Sequence, residues 1–209
     1  EPVSGADIAG IRAVIADSNM ETVILEKAPK VAIYTPPNST PWDDAVTMAL
    51  EYAQIPYETI WDDDVVRGSL GEYEWLHLHH EDFTGQYSKF FLTYGGSAWL
   101  KDEVSRNEEM AERLGFASVP DLKKGVARRL RQYVEDGGFL LAMCSATETL
   151  ELALGAEHAD IAASYSDGSP PDPNATSKMD WDLTMAFMDA VVQTSPAVNA
   201  FSDIDAHQV

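Results

Sequence analysis

Short hydrophobic segments rich in β-branched and aromatic residues alternate along this chain with longer segments of helical periodicity. The hydrophobic segments are predicted strands at residues 30–35, 57–61, 74–79 and 138–144, with a further short one at 22–25. Helical segments separate them, and a strand followed by a helix and another strand favours parallel pairing. The sequence therefore predicts an α/β fold, a three-layer sandwich with a mostly parallel sheet and helices on both faces.

The helix predictions rest on capping residues and on the spacing of apolar side chains. Helices are expected at residues 6–17, from Thr40 to about 55, at 62–70, from Asp121 to about 136, at 147–154 and at 182–192. Thr40 and Asp121 are the expected N-caps of their helices. Residues 1–209 are expected to form a single domain with an insertion at about 83–120, and the sequence looks cut off at its C-terminal end.

Composition excludes several classes of function. The formal net charge is −21, so the chain lacks the positive field that neutralises phosphates, and nucleic-acid binding is not expected. No apolar run approaches the roughly 20 residues that a membrane-spanning helix needs, so membrane insertion is not expected either. A single cysteine rules out a disulfide within the chain.

That cysteine, Cys144, lies where the last predicted strand gives way to a helix. A side chain at such a junction sits at the carboxyl end of the sheet beside free N–H groups of the helix, which stabilise a thiolate. Ala142 and Ala146 supply the small side chains that a sharp turn requires. The pattern predicts a nucleophile elbow with Cys144 as a catalytic residue, and the alternative is a small apolar residue that closes a core strand.

The densest polar cluster follows the third predicted strand and comprises His77, His79, His80, Glu81 and Asp82. One interpretation is a hydrogen-bonded structural turn. A second makes His79 or His80 the base for Cys144, with Glu81 in the same catalytic group and backbone N–H groups of the loop on a substrate oxygen. A third is a metal site at His77, His79 and Glu81. The leading hypothesis includes neither a metal nor a cofactor.

Other residues at the carboxyl ends of the predicted strands are candidates for substrate binding, because ligands of parallel α/β sheets gather there. These are Asn38, Asp82 and Ser145. His158 is a further candidate base for the thiol, or a histidine at a surface helix end. The helix from Asp121 carries five cations. Such a charge run is typical of a solvated helix face, and the alternative is a face that docks against an acidic surface of this chain or of a partner. The five cations are Lys123, Lys124, Arg128, Arg129 and Arg131.

The succession of a strand, the loop with His79, His80, Glu81 and Asp82, a helix, a hydrophobic strand and the Cys144 turn resembles the class I glutamine amidotransferase-like superfamily, which includes PfpI-type and ThuA-like proteins. The resemblance implies a flavodoxin-like fold, a nucleophilic Cys144 and an oxyanion site near residues 80–82. The chain has alanines where that superfamily's elbow has glycines, and the downstream His-x-Glu pair of a glutaminase triad is missing.

More narrowly, residues 27–37 and 75–87 resemble an uncharacterised bacterial family labelled asparagine-synthetase-B-like, whose members are longer, exported proteins, either periplasmic or extracellular. The resulting hypothesis is a thiol-dependent hydrolase or amide transferase that acts on a small-molecule or glycan-derived ligand. The alternatives are a non-catalytic ligand-binding or interaction domain that keeps the fold, and a metal site within residues 77–82.

Overall fold

A four-stranded parallel sheet forms the centre of the molecule. The computed structural model describes residues 4–17, 29–37 and 44–204. Its strands are β1 (Val31–Tyr34), β2 (Tyr57–Ile60), β3 (Trp75–Leu78) and β4 (Phe139–Ala142). They lie in the order β2-β1-β3-β4, and every pair is parallel. The α/β prediction is confirmed, while the predicted strand at 22–25 lies outside the described residues.

Helices connect and cover the strands. They are α1 (Gly5–Asp17), α2 (Ala45–Tyr52), α3 (Asp62–Arg67), α4 (Phe91–Tyr94), α5 (Ala98–Leu114), α6 (Val119–Glu135), α7 (Ser145–Gly155), α8 (Ser164–Asp167) and α9 (Ala175–Lys178). Short 3-10 turns occur at Ser69–Glu72, Tyr87–Lys89 and Trp181–Leu183. Among the described residues, no helix combines the length and the apolar character needed to cross a membrane.

The two faces of the sheet carry different amounts of core. Because side chains alternate along a strand, Ala32 and Tyr34 of β1 enter the large core formed with α3, α5, α6 and α7, whereas Val31 and Ile33 pack with Leu50 of α2. The segment predicted as an insertion, residues 83–120, contributes buried side chains such as that of Leu100 to the large core. It is therefore integral to the packing.

The structure shows which side chains cap the starts of α2 and α6. The carboxylate of Asp44 accepts a hydrogen bond from the Val46 N–H at 2.6 Å, so α2 begins after Asp44, and the predicted cap Thr40 lies outside the described residues. Ser118 Oγ accepts the N–H of Asp121 at 3.2 Å. Asp121 thus lies in the first turn of α6, and the predicted cap at Asp121 is wrong because the cap is Ser118, three residues earlier, which accepts the N–H of Asp121 itself.

The predicted helix at 182–192 is also wrong. Beyond the turn at Trp181–Leu183, the chain wraps around the buried carboxylate of Glu151. Glu151 Oε2 accepts the backbone N–H groups of Met185 at 2.7 Å and Ala186 at 3.0 Å, with Phe187 at 3.3 Å. Successive N–H groups that converge on one anion form a nest, so they are not aligned along a helix axis.

A buried lysine fastens the C-terminal segment to the rest of the molecule. Lys89 is only 4% exposed, and its ammonium group donates to the carbonyl oxygens of Gln193 at 2.5 Å and Ala200 at 2.7 Å. Burial lowers the pKa of Lys89 to about 8, against the attraction of Asp82 and Glu148. Charge-assisted hydrogen bonds from Lys89 therefore help to hold the residues around position 195.

We expect Lys89→Met to loosen this segment, because the substitution leaves partly buried carbonyl oxygens without this donor. The free energy of unfolding should fall by about 2 kcal/mol, and limited proteolysis should cut first between residues 190 and 204. Lys101→Met removes the same charge from an exposed position on α5 and should change stability by less than about 0.5 kcal/mol. Equal protease resistance of the two variants would contradict the role assigned to Lys89.

Candidate functional site

A cavity lies at the carboxyl ends of β1 and β3, where the connections leave the sheet in opposite directions. This point of an open α/β sheet is where ligands bind, and the strand order 2-1-3-4 matches the first part of the flavodoxin-like order. The cavity has a volume of about 230 Å³. Residues from both strand ends, α2, α5, α6 and the loop after β3 line it, among them Tyr34, Trp61, His79, Glu81, Tyr87, Glu103 and Lys123.

A buried ion pair forms one wall of the cavity. Lys123 Nζ donates to Asp62 Oδ2 at 2.7 Å and Oδ1 at 3.0 Å, and to the hydroxyl oxygen of Tyr34 at 3.1 Å. The Tyr34 hydroxyl donates in turn to Asp62. Asp62 is fully buried, and burial together with the Asp62 charge raises the pKa of Tyr34. All three N–H groups of Lys123 are thereby used within the protein.

Sequence reasoning missed this pair. The sequence pattern places Lys123 among cations of a solvated face or of a dock for acidic surface, whereas Lys123 is 7% exposed and paired with Asp62. The helical spacing contains a signal for this burial, because Lys123 lies three residues before Val126 and therefore on the same face of α6 as the apolar stripe. Three other cations of α6 also make intramolecular contacts. Lys124 Nζ donates to Ala159 O at 2.9 Å, Arg128 pairs with Glu157 at 2.6 Å, and Arg131 donates to Leu183 O at 2.8 Å.

Two histidines of β3 and its extension face the same carboxylate. His77 is fully buried, and its Nε2 lies 3.1 Å from Asp44 Oδ2. His79 Nδ1 lies 3.3 Å from Asp44 Oδ1 without forming a hydrogen bond to it. Burial lowers the pKa of His79 in spite of Asp44, and His80 adds to the effect with a ring centroid 3.5 Å away. A neutral imidazole at His79 is able to accept a proton.

Glu81 is the candidate site residue whose titration is most displaced. Burial raises its pKa to about 7, although its Oε2 accepts the His79 N–H at 2.6 Å and Lys123 lies near enough to oppose the shift. A carboxyl group with a pKa near neutrality is suited to both accepting and donating a proton. Glu81 therefore lines the cavity as a candidate acid or base.

Asp82 organises the loop that closes the cavity. Its carboxylate accepts the N–H groups of Thr84 at 2.8 Å, Gln86 at 3.0 Å and Ser88 at 2.8 Å. The loop continues into three consecutive residues with φ between 52° and 57°, at Tyr87–Lys89. Asp82 lines the cavity, as its predicted binding role requires, and its oxygens are already engaged by the loop.

The structure brings the Cys144 turn against the loop after β3. Ser145 Oγ donates to His80 O at 2.8 Å, the Ala146 N–H to His79 O at 3.4 Å, and Thr149 Oγ1 to Glu81 O at 2.7 Å. The predicted residues His79, His80, Glu81, Cys144 and Ser145 are therefore neighbours. Cys144 itself is exposed and outside the cavity lining, and its sulfur makes no hydrogen bond within the described part of the chain.

The backbone of Cys144 has an uncommon conformation, with φ 52° and ψ −137°. Side chains rarely occupy this region, because the Cβ atom crowds the neighbouring carbonyl. Met143 and Cys144 alone join β4 to α7, so the strained residue stands at the strand-to-helix turn predicted from the sequence.

One further predicted site residue, His158, is not brought to this place. His158 follows the C-terminal end of α7, and an 11-residue helix is about 16 Å long, so His158 is far from Cys144. Asn38 lies outside the described residues, as does His207. Within residues 4–17, 29–37 and 44–204, no three histidine, cysteine, aspartate or glutamate side chains are arranged to hold a metal ion, so His77, His79 and Glu81 do not converge as ligands.

Comparison with known proteins identifies no relative. No protein-family model, no curated protein and no solved structure matches the chain. The functional assignment consequently depends on the geometry of the cavity and of the Cys144 turn.

We expect Glu81→Gln to stabilise the protein above pH 7. The folded-state pKa of about 7 exceeds the ordinary value of 4.5, so the folded protein binds the extra proton between these limits and loses stability as the pH rises through them. The variant lacks this loss, and its advantage should grow from near zero at pH 4.5 to as much as about 3 kcal/mol above pH 7. Urea unfolding across this range measures it. Glu112→Gln, exposed on α5, should give no such trend, and a pH-independent difference for Glu81→Gln would refute the assignment.

The strain at position 144 can be measured by comparing Cys144→Gly with Cys144→Ala, which both remove the thiol. Glycine adopts a positive φ freely, so we expect the glycine variant to be more stable by about 1 kcal/mol. Ala142→Gly, at an ordinary strand position two residues earlier, should instead lower stability by about 0.5 to 1 kcal/mol. An alanine variant as stable as the glycine variant would show that the turn is not strained.

Proposed function

We propose that this protein is a thiol-dependent hydrolase or amide transferase that acts on a small molecule, with Cys144 as its nucleophile. The observation that carries the proposal is the backbone of Cys144, an exposed non-glycine residue at φ 52° and ψ −137° between β4 and α7. A sharp, strained turn from strand to helix is how a nucleophile elbow presents its reactive atom at the top of an α/β sheet. Strain of this kind persists where a particular placement of a side chain is needed.

In the proposed reaction, the thiolate of Cys144 attacks the carbonyl carbon of an amide, and a carbon–sulfur bond forms as the carbonyl π electrons move to oxygen. The tetrahedral intermediate collapses to a thioester, and the leaving nitrogen takes a proton. Water, or an acceptor amine in a transfer reaction, then attacks the thioester and releases the thiol. No redox partner is required by this sequence.

The start of α7 is suited to holding the oxyanion. The first N–H groups of a helix have no intrahelical acceptor, and the helix dipole favours negative charge there. Ala146 N–H is directed to the carbonyl of His79, which leaves Ser145 N–H beside the sulfur as the donor that we assign to the oxyanion.

His79 and His80 are the groups that we assign to proton transfer. The His79 imidazole lies beside Asp44, and its ring contacts that of His80 with centroids 3.5 Å apart. Burial keeps the pKa of His79 below its ordinary value, which favours the neutral ring that a base needs. Both carbonyl groups of this pair accept hydrogen bonds from the first turn of α7, which fixes the histidines next to the Cys144 turn.

We assign the chain to the class I glutamine amidotransferase-like superfamily as part of this proposal. The parallel order β2-β1-β3-β4 and the strained cysteine after β4 support it. The substrate would occupy the neighbouring cavity, whose wall carries Glu81 as an additional acid or base.

A second candidate function is that of a non-catalytic binding domain with the same fold. The observation that favours it is the separation of the cysteine from the cavity, since Cys144 is not among the lining residues and no described histidine hydrogen-bonds its sulfur. In this alternative the cavity binds a ligand and the thiol takes no part.

The reactivity of Cys144 distinguishes the two candidates. Because the chain has one cysteine, iodoacetamide labelling of the native protein reports on Cys144 alone. We expect labelling at least about tenfold faster than that of free cysteine at the same pH, and loss of turnover of any hydrolysed amide or ester in Cys144→Ser. Ser105→Ala, at an exposed position on α5, removes a hydroxyl group away from the turn and should retain both reactivity and turnover. A thiol that labels no faster than free cysteine would eliminate the catalytic proposal.

A further inference from the structure

The charges that line the cavity are unevenly compensated. Its lysine, Lys123, already gives all three N–H groups to Asp62 and Tyr34. Two carboxylates are satisfied within the protein, since Asp82 accepts three loop N–H groups and Asp44 is engaged by Val46 and His77. The ammonium group of Lys123 therefore has no N–H group left to donate to a ligand.

Two further carboxyl groups of the lining keep acceptor capacity. The carboxyl group of Glu81 accepts the His79 N–H at Oε2 and a hydrogen bond from its own backbone N–H, and no other described residue donates to it. The carboxyl group of Glu103, on α5, forms no hydrogen bond or ion pair with the other described residues. Burial raises the pKa of both groups, that of Glu81 to about 7, although Lys123 opposes the shift. Both carboxyl groups would therefore gain from a nearby positive charge.

The buried hydroxyl group of Tyr87 is an independent observation that favours a ligand in this cavity. Tyr87 is 3% exposed and lines the same cavity, and its hydroxyl has no hydrogen-bond partner within the described residues. Buried polar groups are nearly always hydrogen-bonded, so each exception calls for an explanation. A donor that enters the cavity would satisfy this oxygen.

The apolar part of the wall is aromatic. Tyr34, Tyr57 and Trp61 line the cavity in addition to Tyr87. The faces of such rings attract cations, and Lys123 already lies 5.3 Å from the Trp61 ring. Aromatic faces combined with carboxylate oxygens that lack donors suit a cation that carries N–H groups and an apolar body.

We propose that this cavity binds the protonated amine of a small organic molecule, with Glu81 and Glu103 as its carboxylate partners and the Tyr87 hydroxyl as a further acceptor. The inference deepens the proposed function by naming the class of substrate, an amide or ester that also carries a primary ammonium group, and to that extent it rests on that function. Binding of the amine itself does not require a reactive thiol.

The test is a titration of the Cys144→Ser protein with benzylamine, benzyl alcohol and benzoate, followed by heteronuclear NMR. The three probes share a ring and differ in charge. We expect benzylamine to bind at least about tenfold more tightly than benzyl alcohol, as one charge-assisted contact provides, and to shift the resonances of residues that line the cavity. Stronger binding of benzoate would identify an anion site and overturn the proposal, as would equal binding of the amine and the alcohol.

Matched variants separate this site from the general attraction of an acidic protein for cations. Glu103→Gln should weaken benzylamine binding about tenfold, whereas Glu112→Gln, which removes an equal charge from an exposed position on the same helix, should change it less than about twofold. Tyr87→Phe should weaken binding by several fold. Equal effects of Glu103→Gln and Glu112→Gln would show non-specific attraction and refute the site.

These results also separate the two proposals. Benzylamine binding with an unreactive Cys144 in the wild-type protein would retain the amine site and remove the catalytic function. A reactive Cys144 without benzylamine binding would retain the catalytic function and remove the inference about its substrate. The dispersion of the NMR spectrum verifies that each variant is folded before its affinity is interpreted.

Discussion

The contact of Lys123 with Asp62 and Tyr34 joins three elements at the edge of the sheet where the cavity lies. Lys123 comes from α6, Asp62 begins α3 and Tyr34 ends β1. A buried charge that loses its partner is costly, commonly by about 3 to 5 kcal/mol, so the three elements are held in one relative position. In the same contact, Asp62 neutralises the charge of Lys123. Most of the other charged side chains that line the cavity are carboxylates.

The short segment after β3 connects this cavity to the cysteine. Its backbone carbonyl groups at His79, His80 and Glu81 accept hydrogen bonds from the first turns of α7, while the three side chains line the cavity. The segment after β3 thus contributes both to the cavity and to the Cys144 turn, although Ser145 and His80 are 65 residues apart in the sequence. The cavity is consequently held next to the Cys144 turn by hydrogen bonds to these three carbonyl groups, two from side-chain hydroxyl groups of α7 and one from a main-chain N–H.

Much of the fold could be predicted because it depends on local patterns. The four strands coincide with hydrophobic runs. The short connection from β4 to α7 coincides with the turn that the sequence predicts at Cys144. Helix ends were less predictable, since Ser118 and Asp121 are both suitable N-cap residues and lie only three positions apart. The helix predicted at 182–192 failed because the carboxylate of Glu151, more than 30 residues away, binds the N–H groups that such a helix would have used.

For the candidate site, the sequence determined the residue types and their order: a lone cysteine after a strand, and a histidine-rich segment at the end of another. Parallel strands bring such ends to one edge, which is why His79, His80, Glu81 and Cys144 could be grouped in advance. Only the tertiary structure decided which charges are buried and what they contact. Lys123 and Asp62 lie 61 residues apart, and Glu103 meets Glu81 only across the cavity. The cost of burying a charge depends on its whole surroundings, which no local spacing records.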